Sequence, residues 1–105
     1  MYRSDLAIHP GEVLAEELEA RAMTQRSLAQ AIRRPEQVIS EIVHRRKGIT
    51  AETALQLGEA LDISAEFWMN LQTTFELTLA RSAAKVGQRG MPARARRGRT
   101  TAGKA

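Results

Sequence analysis

The chain has 105 residues, 43% of them hydrophobic, with one Trp, one Tyr and two Phe, enough for one small domain with a mostly aliphatic core. It has no cysteine, which excludes disulfides and thiolate metal sites; no apolar run is long enough to span a membrane, and the first residues lack the plan of a secretory signal, so a cytoplasmic protein is expected. The net charge of +4 is unevenly spread: residues 1–86 hold ten Lys/Arg and twelve Asp/Glu, a net −2, whereas residues 87–105 hold six Lys/Arg and no acid, a net +6.

Pro10 stands where a helix can begin, because its missing N–H would be an orphan donor there anyway. Val13, Leu14 and Leu18 follow at helical spacing among Glu12, Glu16, Glu17 and Glu19, and this first helix is expected to run to about Ala22. Thr24 is a good N-cap for a second helix, QRSLAQAI, with Leu28, Ala29 and Ile32 facing inward. Arg33-Arg34-Pro35 ends it, since proline disfavours helical geometry in the residue before it. A third helix spans roughly Pro35 to His44 and leaves through Arg45, Arg46, Lys47 and Gly48. Thr50 caps a fourth, AETALQLGEAL. After a break at Asp62-Ile63, Ser64 caps a fifth, AEFWMNLQTTFELTLARSAA. Beyond it GQRGMPARARRGRTTAGKA is rich in glycine and arginine and poor in apolar residues. It cannot bury enough surface to offset its chain entropy and reads as a disordered tail. The expected architecture is a compact all-α domain of five helices over residues 1–86, with a basic tail over 87–105.

Two short helices joined by a tight turn and packed on a third can present the second of the pair to the DNA major groove. That task needs an apolar inner face, polar side chains able to reach base edges, and flanking donors for phosphates. Ala29, Ile32, Ile39 and Ile42 supply the first. Glu36, Gln37 and Ser40 supply the second, with Glu41 beside them. Thr24, Gln25, Arg34, Arg45, Arg46 and Lys47 supply the third. Gln37 is the foremost candidate base reader, because its amide matches the N6 and N7 of adenine. Ser40 is less selective. Glu36 can accept from cytosine N4, or can simply complement the positive end of its helix.

The segments HPGE (His9 to Glu12), RPEQVISEI (Arg34 to Ile42), ITAETALQL (Ile49 to Leu57) and FWMNLQ (Phe67 to Gln72) resemble the HigA family of antitoxins, within the Xre/Cro-type helix-turn-helix regulators of lambda-repressor-like fold. The resemblance runs from about Ile8 to Phe75. It implies a dimer that represses transcription from its own promoter by binding an inverted-repeat operator in double-stranded DNA. It also implies a partner toxin, a RelE-like mRNA endonuclease neutralised by direct binding. The reading helix and its flanks carry over onto Gln37, Ser40, Arg45, Arg46 and Lys47. The family often has glycine where Arg33 and Arg45 stand, so these two arginines must take a left-handed conformation or alter the turn.

The two histidines, His9 and His44, lie far apart with no metal-ligand spacing, and no Gly-rich phosphate loop is present. His9 reads as a cap or packing residue and His44 as a partner for the negative end of the third helix. No catalytic residue, metal or cofactor is expected, and an enzyme is a poor fit. Phe67, Trp68, Leu71, Phe75 and Leu79 form an apolar stripe on the fifth helix. Phe67, Trp68 and Leu71 are expected to reach the core. Phe75 and Leu79 are left for a second copy or for internal packing, so Trp68, Leu71, Phe75 and Leu79 are the candidate dimer interface. The tail has three readings: a solvated appendage, an arm on DNA phosphates, or a toxin-binding segment. A stand-alone regulator without a toxin, and a toxin-binding module with little DNA affinity, remain alternatives.

Overall fold

The computed structural model describes residues 7–90. Five α-helices follow one another: α1 (Pro10–Ala20), α2 (Gln25–Ile32), α3 (Glu36–Val43), α4 (Ala51–Leu61) and α5 (Ala65–Gly90). Among the described residues there is no strand, and the all-α expectation holds.

Local chemistry explains where these helices start. His9 Nδ1 accepts the Gly11 N–H at 2.8 Å, and the Glu12 carboxylate accepts the His9 N–H at 3.3 Å, a reciprocal capping box. Thr24 and Ser27 form another, with side-chain-to-backbone bonds of 2.9 and 3.1 Å. The Thr50 hydroxyl accepts from Thr53 N at 3.2 Å, and Ser64 Oγ accepts from Phe67 N at 3.1 Å. Helix α3 has no such cap; Pro35, at φ −59 and ψ 146, leads into it.

Each of the first four helices ends through a left-handed residue other than glycine: Ala22 (φ 55), Arg33 (φ 60), Arg45 (φ 64) and Asp62 (φ 58). Arg33 and Arg45 thus keep the turns that glycine would favour, rather than altering them.

The expected boundaries of α2 and α4 match. Helix α1 stops at Ala20 rather than Ala22, and α3 is one residue shorter at each end. Helix α5 passes Ala84 and runs to Gly90, so residues 87–90, placed in the tail by composition, continue the helix. The rest of the tail, 91–105, lies outside the described residues, and so does its expected disorder.

The core gathers Leu14 and Leu18 of α1, Leu28, Ala29 and Ile32 of α2, Ile39 and Ile42 of α3, Ile49, Ala54, Leu57 and Leu61 around α4, and Trp68 of α5. Helix α3 packs between α2 and α1, while α5 backs α4 and reaches α1. Two expectations for α5 need correction. Phe67 is 41% exposed rather than buried. Successive residues on a helix point about 100° apart, so with Trp68 turned inward Phe67 falls at the rim, edge-to-face on Trp68 at 5.4 Å. Trp68 itself is 0% exposed, which leaves it no surface to offer a second copy. Leu71 is half-buried against the core, and Phe75 is half-buried with its ring edge-to-face on His9 at 4.8 Å.

Candidate nucleic-acid interface

Helix α3 is held from three sides. Ile39 and Ile42, 0% and 2% exposed, face the core. The first turn of α1 abuts its C-terminal end so closely that a Cβ on Gly11 would overlap the Ile42 carbonyl. After Val43 the chain turns back: Arg46 N and Lys47 N both donate to the Glu41 carbonyl, at 2.8 and 3.2 Å. The outer face, carrying Glu36 and Gln37, is left exposed, with Arg45, Arg46 and Lys47 clustered at its end.

The loop after α3 is fastened to α5. Gln72, 8% exposed, accepts the Ile49 N–H at 2.7 Å through Oε1 and donates to Glu76 at 2.9 Å through Nε2. A Cβ on Gly48 would stand 2.6 Å from Gln72 Oε1, so a larger residue there would have to displace the Gln72 amide from its bond to Ile49. No spacing rule exposes a bond across 23 residues, and Gln72 was missed as a sequence-level candidate.

The candidate DNA contacts fall into different situations. Glu36, Gln37, Arg46 and Lys47 are exposed on or beside α3. Gln37 Nε2 donates to Glu41 at 3.1 Å, and Lys47 Nζ lies 3.9 Å from the other Glu41 oxygen. Ser40 is half-buried and bonded to the His44 ring at 3.2 Å, which keeps it close to the helix. Thr24 is exposed, but its hydroxyl serves as the α2 cap; Gln25 follows it, half-buried. Arg34 turns toward α4 and donates to Gln56 at 2.8 Å, away from the outer face of α3. Arg45 Nη2 is 3.6 Å from Glu12, tying the exit loop to the first turn of α1. Arg46 forms no ion pair among the described residues.

Charge separates along the fold. Residues 24–47 hold six Lys/Arg and two Asp/Glu, a net +4. Residues 48–80 hold five Asp/Glu and no Lys/Arg, a net −5. The basic balance therefore coincides with the α2–α3 pair, a distribution that the totals for residues 1–86 conceal. Such a local field draws phosphate toward α3 and away from α4 and the first half of α5, whereas the second half of α5 carries Arg81, Lys85 and Arg89 and no acid.

His9 shapes this region from beneath. Burial holds its imidazole below the ordinary value of 6.5; Arg45 adds to the effect and Glu12 opposes it. A neutral ring suits a cap whose Nδ1 must accept from Gly11. Elsewhere, an open groove of about 490 Å³ between α2 and α4 is lined by Ala31, Ile32, Arg33, Gln56, Glu59 and Ala60. Among the described residues no group of His, Asp and Glu is placed to hold a metal ion, and no helix is long and apolar enough to cross a membrane.

The chain is 43% identical over 75 residues to virulence-associated protein I of Dichelobacter nodosus, covering 70% of this chain and 69% of that protein. It superimposes on the Pseudomonas aeruginosa antitoxin HigA with the higBA promoter at a TM-score of 0.75 and 36% identity, covering 84% of this chain and 98% of that one. An addiction module antidote protein of the HigA family from Coxiella burnetii gives a TM-score of 0.72 and 34% identity, over 82% of this chain and 96% of that one. No family model matches the chain.

Proposed function

The chain belongs to the HigA family of antitoxins, within the Xre/Cro-type helix-turn-helix regulators, and from that premise we propose that it is a sequence-specific autorepressor whose α3 enters the major groove of its own operator. The observation that carries the reading is the presentation of α3: a rigidly backed helix with Gln37 on its outer face and Arg45, Arg46 and Lys47 at its end, in the basic part of an otherwise acidic domain. Base edges are read by groups on such a face, and phosphates by cations beside it. Thr24 and Gln25 stand at the other flank. Arg34 is held by Gln56, so its role is to brace the α2–α3 turn against α4. Relatives of this kind include one solved with the higBA promoter, which supports DNA as the partner.

The binding unit is a homodimer with α5 at its interface, and the second partner is a RelE-like toxin neutralised by direct contact. A basic toxin would meet complementary charge on α1, where Glu16, Glu17 and Glu19 cluster. The protein acts by binding, not by catalysis, and does so in the cytoplasm.

Fluorescence anisotropy with the protein's own upstream duplex and a scrambled duplex, across a salt series, tests the repressor. Tight binding to the first alone is expected. Equal, salt-labile binding to both would leave only non-specific charge. Arg46→Ala should weaken all duplexes alike, whereas Gln37→Ala should relax sequence preference. Deleting residues 91–105 should flatten the salt dependence if the tail is an arm on phosphates; an unchanged slope assigns it elsewhere. Co-purification with the product of a small neighbouring reading frame separates an antitoxin from a stand-alone regulator.

A further inference from the structure

Gln37 is not a free amide. One turn further along α3, Glu41 accepts its Nε2–H at 3.1 Å. A carboxylate can only accept, so this bond settles which end of the amide faces Glu41: the nitrogen is turned back along the helix and Oε1 is turned away. Glu41 is fixed in its turn. Its second oxygen lies 3.9 Å from Lys47 Nζ, and its carbonyl accepts from Arg46 N and Lys47 N where the chain reverses. Its side chain is 27% exposed, against 67% for Lys47. Glu41 therefore sits below the tip of Gln37, between the reading face and the exit loop.

This tether has a consequence for base recognition. Once one N–H is given to Glu41, Gln37 has one N–H and one carbonyl oxygen left. Adenine presents one acceptor, N7, and one donor, the N6 amino group; guanine presents two acceptors, N7 and O6. A free glutamine amide can swing both of its N–H groups toward guanine. The tethered one cannot, and it meets guanine O6 with its own oxygen.

We propose that Glu41 is a positioning residue that makes Gln37 read adenine in preference to guanine. The inference rests on the reading of α3 as the major-groove helix. Lys47 completes the device by countering the charge that Glu41 would otherwise bring toward the DNA backbone.

The test uses the full chain and its own upstream duplex, with the protected site defined by footprinting. Each A·T pair in the site is changed to G·C, and binding is followed by anisotropy. Wild-type protein should prefer A·T at one pair of each half-site by about tenfold or more, the range of a bidentate contact. Gln37→Ala should abolish that preference. Glu41→Ala should cut it to about threefold or less at the same pair, leave the other pairs unchanged, and bind a scrambled duplex no more weakly than wild type. Glu41→Asp keeps the charge but withdraws the acceptor, and should follow Glu41→Ala. If Gln37→Ala flattens a pair that Glu41→Ala or Glu41→Asp still reads as wild type does, the proposal is overturned. A uniform loss at every pair in Glu41→Ala would mark a structural role and overturn it too. If Gln37→Ala flattens no pair although wild type still prefers its own duplex to a scrambled one, Gln37 reads no base and the proposal is overturned; if wild type shows no such preference, the operator reading itself has failed.

Discussion

Single side chains carry strain and charge that can be tested one at a time. Ala22 takes φ 55 at the end of α1, is exposed, and has no long side chain to complicate a substitution. A left-handed alanine costs about 1–2 kcal/mol, against a glycine entropy cost in the unfolded chain of about 0.4–1 kcal/mol. Ala22→Gly should therefore raise stability by about 0.5–1 kcal/mol, visible as a higher urea midpoint at unchanged slope. A lower midpoint would mean the turn is not strained. His9 makes a pH-dependent contribution of definite sign. Its folded-state pKa lies below the ordinary 6.5, first through burial and then through Arg45. As pH falls through 6.5, the unfolded chain takes up the proton before the folded one, and stability is lost until the folded pKa is passed. Well above 6.5 the contribution is complete. The urea midpoint should drop between about pH 7.5 and about pH 5.5, and drop less in His9→Asn, which keeps a capping side chain but does not titrate. Equal drops in both proteins would remove His9 from the account.

Among the helices, the caps made the starts readable. Thr24, Thr50 and Ser64 are polar residues directly ahead of apolar periodicity, and each accepts the backbone N–H that its position implies. The end of α5 was not readable. Glycine and arginine mark a composition without a core, but a formed helix extends at one backbone bond per residue, and α5 runs on to Gly90. Side-chain fates on α5 were half readable. The FWMNLQ segment does supply a core residue in Trp68, but the stripe cannot tell its centre from its rim, and Phe67 lies at the rim. In the candidate site, the exposure of Gln37 and of Arg45, Arg46 and Lys47 follows from helical spacing, whereas the i,i+4 bond of Gln37 to Glu41 was not among the sequence expectations. The turn of Arg34 toward Gln56 and the Gln72–Ile49 bond depend on tertiary packing alone. The last of these couples two elements. Gln72→Ala would leave the buried Ile49 N–H without its acceptor, a loss of about 1–3 kcal/mol, and would loosen the loop that carries Arg45, Arg46 and Lys47. Stability should fall by that amount in urea unfolding, and affinity should fall on specific and scrambled duplexes together. A loss confined to one base pair would instead place Gln72 in base reading.

Taken as one body, the protein presents its basic α2–α3 pair on one part of the surface and leaves Leu77 and Leu79 of α5 45% and 49% exposed on another. Leu79 follows Phe75 by one turn and shares its face, so the pair continues the buried line of Trp68 out of the core. A second copy related by a twofold axis would cover that line from both sides. It would also set two α3 helices about 34 Å apart, one turn of DNA, and so require an inverted-repeat operator. Burying one leucine contributes about 1.5–3 kcal/mol, and a symmetric interface counts each substitution twice. Leu79→Glu should therefore weaken the dimer by at least about 3 kcal/mol, or more than about a hundredfold. Sedimentation equilibrium should show wild-type dimers and Leu79→Glu monomers at the same micromolar loading. On the full operator the variant should bind far more weakly than wild type. On a duplex carrying a single half-site the two proteins should bind alike, because α3 and its supports lie in the body of the domain. That last comparison separates lost pairing from lost folding. If Leu79→Glu stays dimeric and keeps its affinity for the full operator, the twofold contact lies elsewhere, and the apolar end of α5 is free for the toxin.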